Sequence, residues 1–144
     1  MSVNENITDA PDCILLVDDD YHTNLIHKRI IGMAEVCQRI QPTTSGQEAL
    51  QYLTCTGKYA DNKDYAKPGV IFLDINMPGM NGWEFLEEYK KLDDELKARI
   101  VVVVITSVLW AEDSDQAAAF KDMITFIDKP LSVASVRKVV AGYF

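Results

Sequence analysis

The chain has 144 residues, 48% of them hydrophobic, which suits one compact domain with a full core and leaves little room for a second. Its formal net charge is −8 and no Lys/Arg cluster is longer than a pair, so the attraction that drives nucleic-acid binding is missing and no nucleic-acid partner is expected. No apolar run approaches the roughly 18–20 residues of a membrane span, the start MSVNENITDAPD is unlike a signal peptide, and Cys13, Cys37 and Cys55 lack disulfide or zinc spacing, so a cytoplasmic protein with reduced thiols and no membrane partner is expected.

Residues 1–11 read as a flexible tail and 12–144 as one domain. CILLV (13–17) is apolar on both faces, as a buried parallel strand is. A helical pattern follows over about 22–34, with Leu25, Ile26, Ile30 and Met33 as its apolar positions. VCQRIQ (36–41) alternates like an edge strand, and 46–55 is helical with Ala49, Leu50 and Leu53. The stretch CTGKYADNKDYAKPG (55–69) is long for a connection and rich in turn formers, which predicts a surface excursion. VIFL (70–73) is a second doubly apolar run, followed by a turn carrying Pro78, Gly79, Asn81 and Gly82 and a helix over 83–92 with Phe85, Leu86, Tyr89 and Leu92. IVVVVI (100–105), a helical pattern over 112–121, ITFI (124–127) and a helix over 133–142 with Val133, Val136, Val139 and Val140 complete the chain. Strand and helix alternate five times. The expected fold is α/β: a doubly wound, five-stranded parallel sheet in the flavodoxin-like order 2-1-3-4-5.

In such a sheet the C-terminal strand ends share one edge. They carry Asp18, Asp19 and Asp20 after the first strand, Asp74 at the end of the third, Thr106 and Ser107 after the fourth, and Asp128, Lys129 and Pro130 at the fifth. Carboxylates brought together repel unless a cation lies among them, and an all-oxygen set with few protein ligands suits Mg2+. A lysine and a hydroxyl opposite are what an anionic phosphoryl group needs.

These residues resemble the receiver domains of two-component response regulators. ILLVDDD is similar to the family's first-strand acidic pair, FLDINMPGMNG to its phosphoacceptor segment, VITS to its hydroxyl position and DKP to its lysine followed by proline, over Cys13 to Phe144. The resemblance implies that Asp74 takes a phosphoryl group from a sensor histidine kinase or a histidine phosphotransfer protein. Asp19 is then the main Mg2+ ligand, with Asp18, Asp74 and the backbone carbonyl of Asn76. Thr106 and Lys129 would bind phosphoryl oxygens, and the Lys129–Pro130 peptide is expected to be cis. Thr106 and Phe126 would form the switch, although Phe126 lacks the hydroxyl of the tyrosine often found there. The output surface would be helix four, strand five and helix five, offered to an unidentified protein by a monomer or a phosphorylation-dependent dimer. Asn76 and Val108 would set phosphoryl lifetime, and Trp110 would sit in the moving loop. Such a protein catalyses only its own phosphorylation and dephosphorylation.

Several residues have plainer readings. Asp20 fits a helix cap better than a third metal ligand, because a helical pattern begins directly after it. His22 and His27 fit helix positions better than phosphoryl donors, which need a helical bundle that this pattern lacks. Trp83, Phe85 and Leu86 fit helix-to-sheet packing. As an alternative function, an aspartate-nucleophile phosphohydrolase of the haloacid-dehalogenase kind also combines Asp, Thr, Lys and Mg2+. Those enzymes, however, carry the nucleophile on the first motif strand with a second aspartate two residues on, where this chain has Asn76. A flavodoxin-like flavin carrier would need a Ser/Thr/Gly-rich phosphate loop after strand one, and DDDYH would repel a phosphate.

Overall fold

The computed structural model describes residues 10–61, 63–105 and 114–144. Strands β1 (Cys13–Val17), β2 (Arg39–Thr43), β3 (Pro68–Asp74), β4 (Ile100–Ile105) and β5 (Ile124–Asp128) pair in parallel in the order β2-β1-β3-β4-β5. Helices α1 (Tyr21–Ala34), α2 (Gly46–Thr54), α3 (Gly82–Lys90), α4 (Asp115–Ala118) and α5 (Val133–Tyr143) connect or follow them. The doubly wound flavodoxin-like fold expected from the alternation is therefore observed.

Alternation within the strands splits the core between the two faces. Leu15, Val17, Ile71, Leu73, Val101 and Val103 pack with Ala49, Leu53, Phe85 and Leu86 of α2 and α3. Ile14, Leu16, Val70, Phe72, Val102 and Val104 pack with Ile31, Ala34, Val136 and Val140 of α1 and α5. Each such fully buried aliphatic side chain contributes about 1.5–3 kcal/mol. Both faces must be covered, which is why the strands read as unbroken apolar runs.

Three local expectations need correction. β2 spans Arg39–Thr43 rather than 36–41, and it includes Pro42. Proline is tolerated there because β2 is an edge strand paired only with β1. In α1 the buried stripe is Asn24, His27, Ile31 and Ala34, whereas Leu25, Ile26 and Met33 are 46%, 58% and 54% exposed. The apolar count pointed to the wrong face, since two of the four inward positions near the sheet edge are polar. The helix expected over 112–121 is, among the described residues, only Asp115–Ala118, capped by the Ser114 side chain and followed by turns into β5.

The excursion before β3 is packed. Tyr52 of α2 meets the rings of Tyr59 and Tyr65, each at 5.1 Å, and its hydroxyl donates to the Ala66 carbonyl at 2.8 Å. At the same end of the sheet, the Arg99 guanidinium lies 4.4 Å from the Phe144 ring and donates to the Tyr143 carbonyl at 2.9 Å. Trp83 stacks on Phe120 at 6.2 Å, in keeping with a packing role. Among the described residues no helix is long and apolar enough to cross a membrane, and the cysteines are free, with Cys13 buried.

Candidate functional site

Strand pairing assembles the site. β1 and β3 run in register with Val17 opposite Leu73, so the residues that follow, Asp18 and Asp74, emerge side by side. One carboxylate oxygen from each of Asp18, Asp19 and Asp74 lies within 4.8 Å of the other two. Lys129 follows β5, two strands from β3, and its amide donates to the Ile105 carbonyl at 3.0 Å. Its side chain spans the end of β4 and brings Nζ to 3.8 Å from Asp74 Oδ1. The Lys129–Pro130 peptide is cis, as expected.

The electrostatics are those of an acidic pocket short of positive charge. Burial pushes the Asp18 carboxyl up to about 6, aided by the neighbouring Asp74 charge and opposed by the Asp20 amide and Lys129. Burial also raises the Asp74 carboxyl, while Lys129 and the Asn76 amide act in the opposite direction. His27 faces this end from α1, and burial together with the Lys129 charge keeps its imidazole below the usual histidine range. Three clustered oxygen donors, two of them made more basic by their surroundings, fit a small hard dication such as Mg2+.

The turn after Asp74 is fixed by its own backbone. The Asn76 amide donates to Asp74 Oδ1 at 3.2 Å, and the Gly82 amide donates to the Ile75 carbonyl at 2.8 Å. Gly79 takes φ 72°, a left-handed conformation that favours glycine. A Cβ on Gly82 would come within 2.6 Å of Ile75 Cα and 2.8 Å of the Asp74 carbonyl, so only glycine lets α3 begin this close to the end of β3. Asn81 then starts α3 with a capping box: its side chain accepts from the Glu84 amide, and Glu84 accepts from the Asn81 amide, both at 2.9 Å.

Of the residues singled out from sequence, Asp18, Asp19, Asp74 and Lys129 are brought together, and Asn76 lies on the adjoining turn. Phe126 is half-buried on β5, against the core on the α2/α3 side. Asp20 stands apart from the acidic cluster and caps α1: Oδ1 accepts from the His22 amide and Oδ2 from the Thr23 hydroxyl, both at 2.9 Å. Those two donors hold its carboxyl below the usual range. Thr106, Ser107, Val108 and Trp110 lie outside the described residues. Sequence reasoning missed Asn24, which is buried beneath the acidic turn; the available signal was its place in the 24, 27, 31, 34 stripe.

Comparison with known proteins agrees with this geometry. The chain is 30% identical over 127 residues to the two-component response regulator ARR7 of Arabidopsis thaliana, covering 88% of this chain and 59% of that protein. It thus spans less than two thirds of that relative's length. It is 26% identical over 130 residues to sporulation initiation phosphotransferase F of Bacillus subtilis, covering 90% of this chain and 91% of that one. A solved structure of a two-component response regulator from Cytophaga hutchinsonii superimposes with a TM-score of 0.70 at 32% identity, covering 92% of this chain and 98% of that one. Residues 14–141 match the response regulator receiver domain, which is most of the sequence, and the chain belongs to that family.

Proposed function

We propose that residues 12–144 act as a phosphoryl-accepting switch in two-component signalling, with Asp74 as acceptor and a sensor histidine kinase or histidine phosphotransfer protein as donor. The observation that carries this reading is the position of Asp74, one oxygen of which lies within 4.8 Å of an oxygen of Asp18 and of Asp19, and whose Oδ1 lies 3.8 Å from Lys129 Nζ. An Asp74 carboxylate oxygen attacks phosphorus, the P–N bond to the donor imidazole breaks, and a P–O bond to Asp74 forms. Lys129 pairs with one phosphoryl oxygen and the Thr106 hydroxyl donates to another. Asp19, Asp18, Asp74 and the Asn76 carbonyl would hold Mg2+, which when bound would offset the charge of the acidic pocket and the phosphoryl oxygens. Movement of Thr106 toward the phosphoryl group lets Phe126 turn inward and alters the α4–β5–α5 surface read by a downstream protein in the cytoplasm. Catalysis is confined to the chain's own aspartate. The haloacid-dehalogenase alternative lacks support, because Asp74 is on β3, Asn76 stands two residues on, and the family match is to receivers.

The donor must reach Asp74 over the acidic turn, and α1 begins directly beyond that turn. Its outer face carries Tyr21, Leu25, Ile26 and Met33, each substantially exposed, and the helix has no acidic residue. Exposed apolar surface of this kind is characteristic of interaction sites, and its place beside the pocket supports reading it as the face met by the phosphoryl donor. Both halves of the reading are tested by intact mass after incubation with acetyl phosphate and Mg2+, and after incubation with a phosphorylated donor protein. Asp74→Asn is expected to gain nothing from either source; equal gain would sink the acceptor assignment. Ile26→Lys is expected to be phosphorylated normally by acetyl phosphate and at least tenfold more slowly by the protein donor. Equal slowing with both reagents would remove α1 from the docking surface.

A further inference from the structure

Asn24 is a polar side chain buried where helix-to-sheet packing would accept an apolar one, with only 3% of its surface exposed. Both protons of its amide nitrogen are used: Nδ2 donates to the Asp18 carbonyl and to the Thr43 carbonyl, each at 3.0 Å. Thr43 ends β2 and Asp18 follows β1, and the Asp18 amide donates to the same Thr43 carbonyl at 3.2 Å. Asn24 therefore ties α1 to the ends of two strands at the point where the acidic turn leaves the sheet.

This bond has a geometric consequence for Asp19. The Asp18 carbonyl belongs to the peptide plane that joins Asp18 to Asp19, so fixing that oxygen fixes the direction in which Asp19 leaves the backbone. Asp19 is exposed, and among the described residues its side chain has no hydrogen-bond partner of its own. Its placement next to Asp18 and Asp74 thus depends on the backbone. At the other end of the Asn24 amide, Oδ1 is buried with no hydrogen-bond partner among the described residues. An orphaned buried acceptor is unfavourable, and an apolar side chain of similar size would avoid it. Packing alone does not explain asparagine here; the two donor bonds at the strand ends do.

We infer that Asn24 is a positioning residue for the metal pocket, holding the Asp18–Asp19 peptide so that the Asp19 carboxylate meets those of Asp18 and Asp74. The inference rests on the reading of Asp19 as a Mg2+ ligand. Outer groups that orient metal ligands typically change metal affinity by about 10–100-fold when removed.

The test is a calorimetric titration with Mg2+ alone at fixed ionic strength, beside thermal unfolding in EDTA. Asn24→Leu fills the same space without donors and is expected to bind Mg2+ at least tenfold more weakly than wild type while remaining folded. Asn24→Ala should show the same weakening with an added loss of stability. Tyr89→Phe removes a partly buried hydrogen bond at the opposite end of the sheet, where the Tyr89 hydroxyl accepts from the Ala98 amide at 2.8 Å. It should lower the unfolding temperature and leave Mg2+ affinity within twofold. Wild-type affinity in Asn24→Leu, or equal weakening in Tyr89→Phe, would overturn the inference while leaving Asp19 as ligand. Asp19→Asn separates the two readings. If it binds Mg2+ as wild type does, or if wild type itself binds none, the metal assignment falls and the role of Asn24 falls with it. In metal-free protein, backbone amide shifts of Asp19 and Asp20 should move in Asn24→Leu and stay unchanged in Tyr89→Phe; unmoved shifts in both would also overturn it.

Discussion

Glu48 and Asp18 are both carboxylates set into the same end of the molecule, and their surroundings push them in opposite directions. Glu48 is encircled by donors. Oε1 accepts from the Thr44 amide at 2.8 Å and the Thr44 hydroxyl at 3.1 Å, and Oε2 accepts from the Tyr59 hydroxyl at 2.7 Å and Lys58 at 2.9 Å. Burial works against its charge, but these donors outweigh it and bring the carboxyl down to about 2. Among the described residues the Asp18 carboxylate accepts one bond, from the Asp20 amide at 2.9 Å, and it lies beside the carboxylates of Asp19 and Asp74, with Lys129 only partly offsetting their charge. Burial and those neighbours leave it at about 6. One carboxylate is complete within the fold and stabilises the excursion before β3. The other is left short of positive charge, as a group must be if it is to take up a cation from solution. The acidic pocket opposes folding at neutral pH, and its members stay together because the backbone holds them there.

The largest expected effect on stability tests that last point. At the pocket the end of β3 is held by the close approach of α3, where the space for a Cβ on Gly82 is already taken by Ile75 Cα and the Asp74 carbonyl. Gly82→Ala must push α3 away from the end of β3 and is expected to cost about 3 kcal/mol in urea unfolding. The surviving folded protein should also bind Mg2+ more weakly, because Asp74 moves with its strand. Unchanged stability would mean that the α3 start can shift freely and that backbone packing does not hold the pocket.

What was legible from sequence follows the same division between backbone and side-chain causes. β1, β3 and β4 were readable because a strand covered on both faces must be apolar throughout, and Asp74 stood out as the first charge after such a run. Asp18, Asp19 and Lys129 were placed by topology, since parallel strands deliver their ends to one edge. β2 was ended at 41 instead of Thr43 because Pro42 reads as a breaker, whereas the edge position that permits it is a tertiary fact. The orientation of α1 was misread because a count of apolar residues gives no weight to a buried Asn24 or His27. The place of Asn24 is set by the polar strand ends it meets, which no local pattern reveals. The cluster around Glu48 was equally hidden: Lys58 and Tyr59 looked like ordinary residues of a solvated loop.

A smaller effect comes from breaking the donor-rich side of the comparison. The native carboxyl of Glu48, at about 2, lies below its ordinary value of 4.5, so the native state binds fewer protons than the unfolded chain between these values. The resulting stabilisation is fully present above pH 4.5 and disappears as pH falls through the native value. Glu48→Gln is expected to lose on the order of 1 kcal/mol at pH 7, the size expected of a partly solvated ion pair with hydrogen bonds. The difference from wild type should shrink steadily below pH 4.5. A difference that persists unchanged to pH 3 would assign the loss to packing rather than to charge. Mg2+ affinity should be unaffected, which separates this cluster from the acidic pocket.

The smallest effect is expected at Asp20, the carboxylate between the two extremes. It adjoins Asp19 in sequence, yet it resembles Glu48 in its surroundings, because both of its oxygens accept from donors in the first turn of α1. Its role is to cap that helix, and asparagine serves as well as aspartate at an N-cap. Asp20→Asn should therefore shift the unfolding temperature by less than ~3 °C and leave Mg2+ affinity within twofold of wild type. Asp19→Asn, one residue away, should lose most of that affinity. Matched titrations of the two variants sharpen the comparison at its narrowest point, where adjacent carboxylates differ only in whether their partners are donors or other acids. If Asp20→Asn weakens Mg2+ as strongly as Asp19→Asn does, the acidic pocket includes Asp20 and the hydrogen bonds at the start of α1 give way when the cation binds.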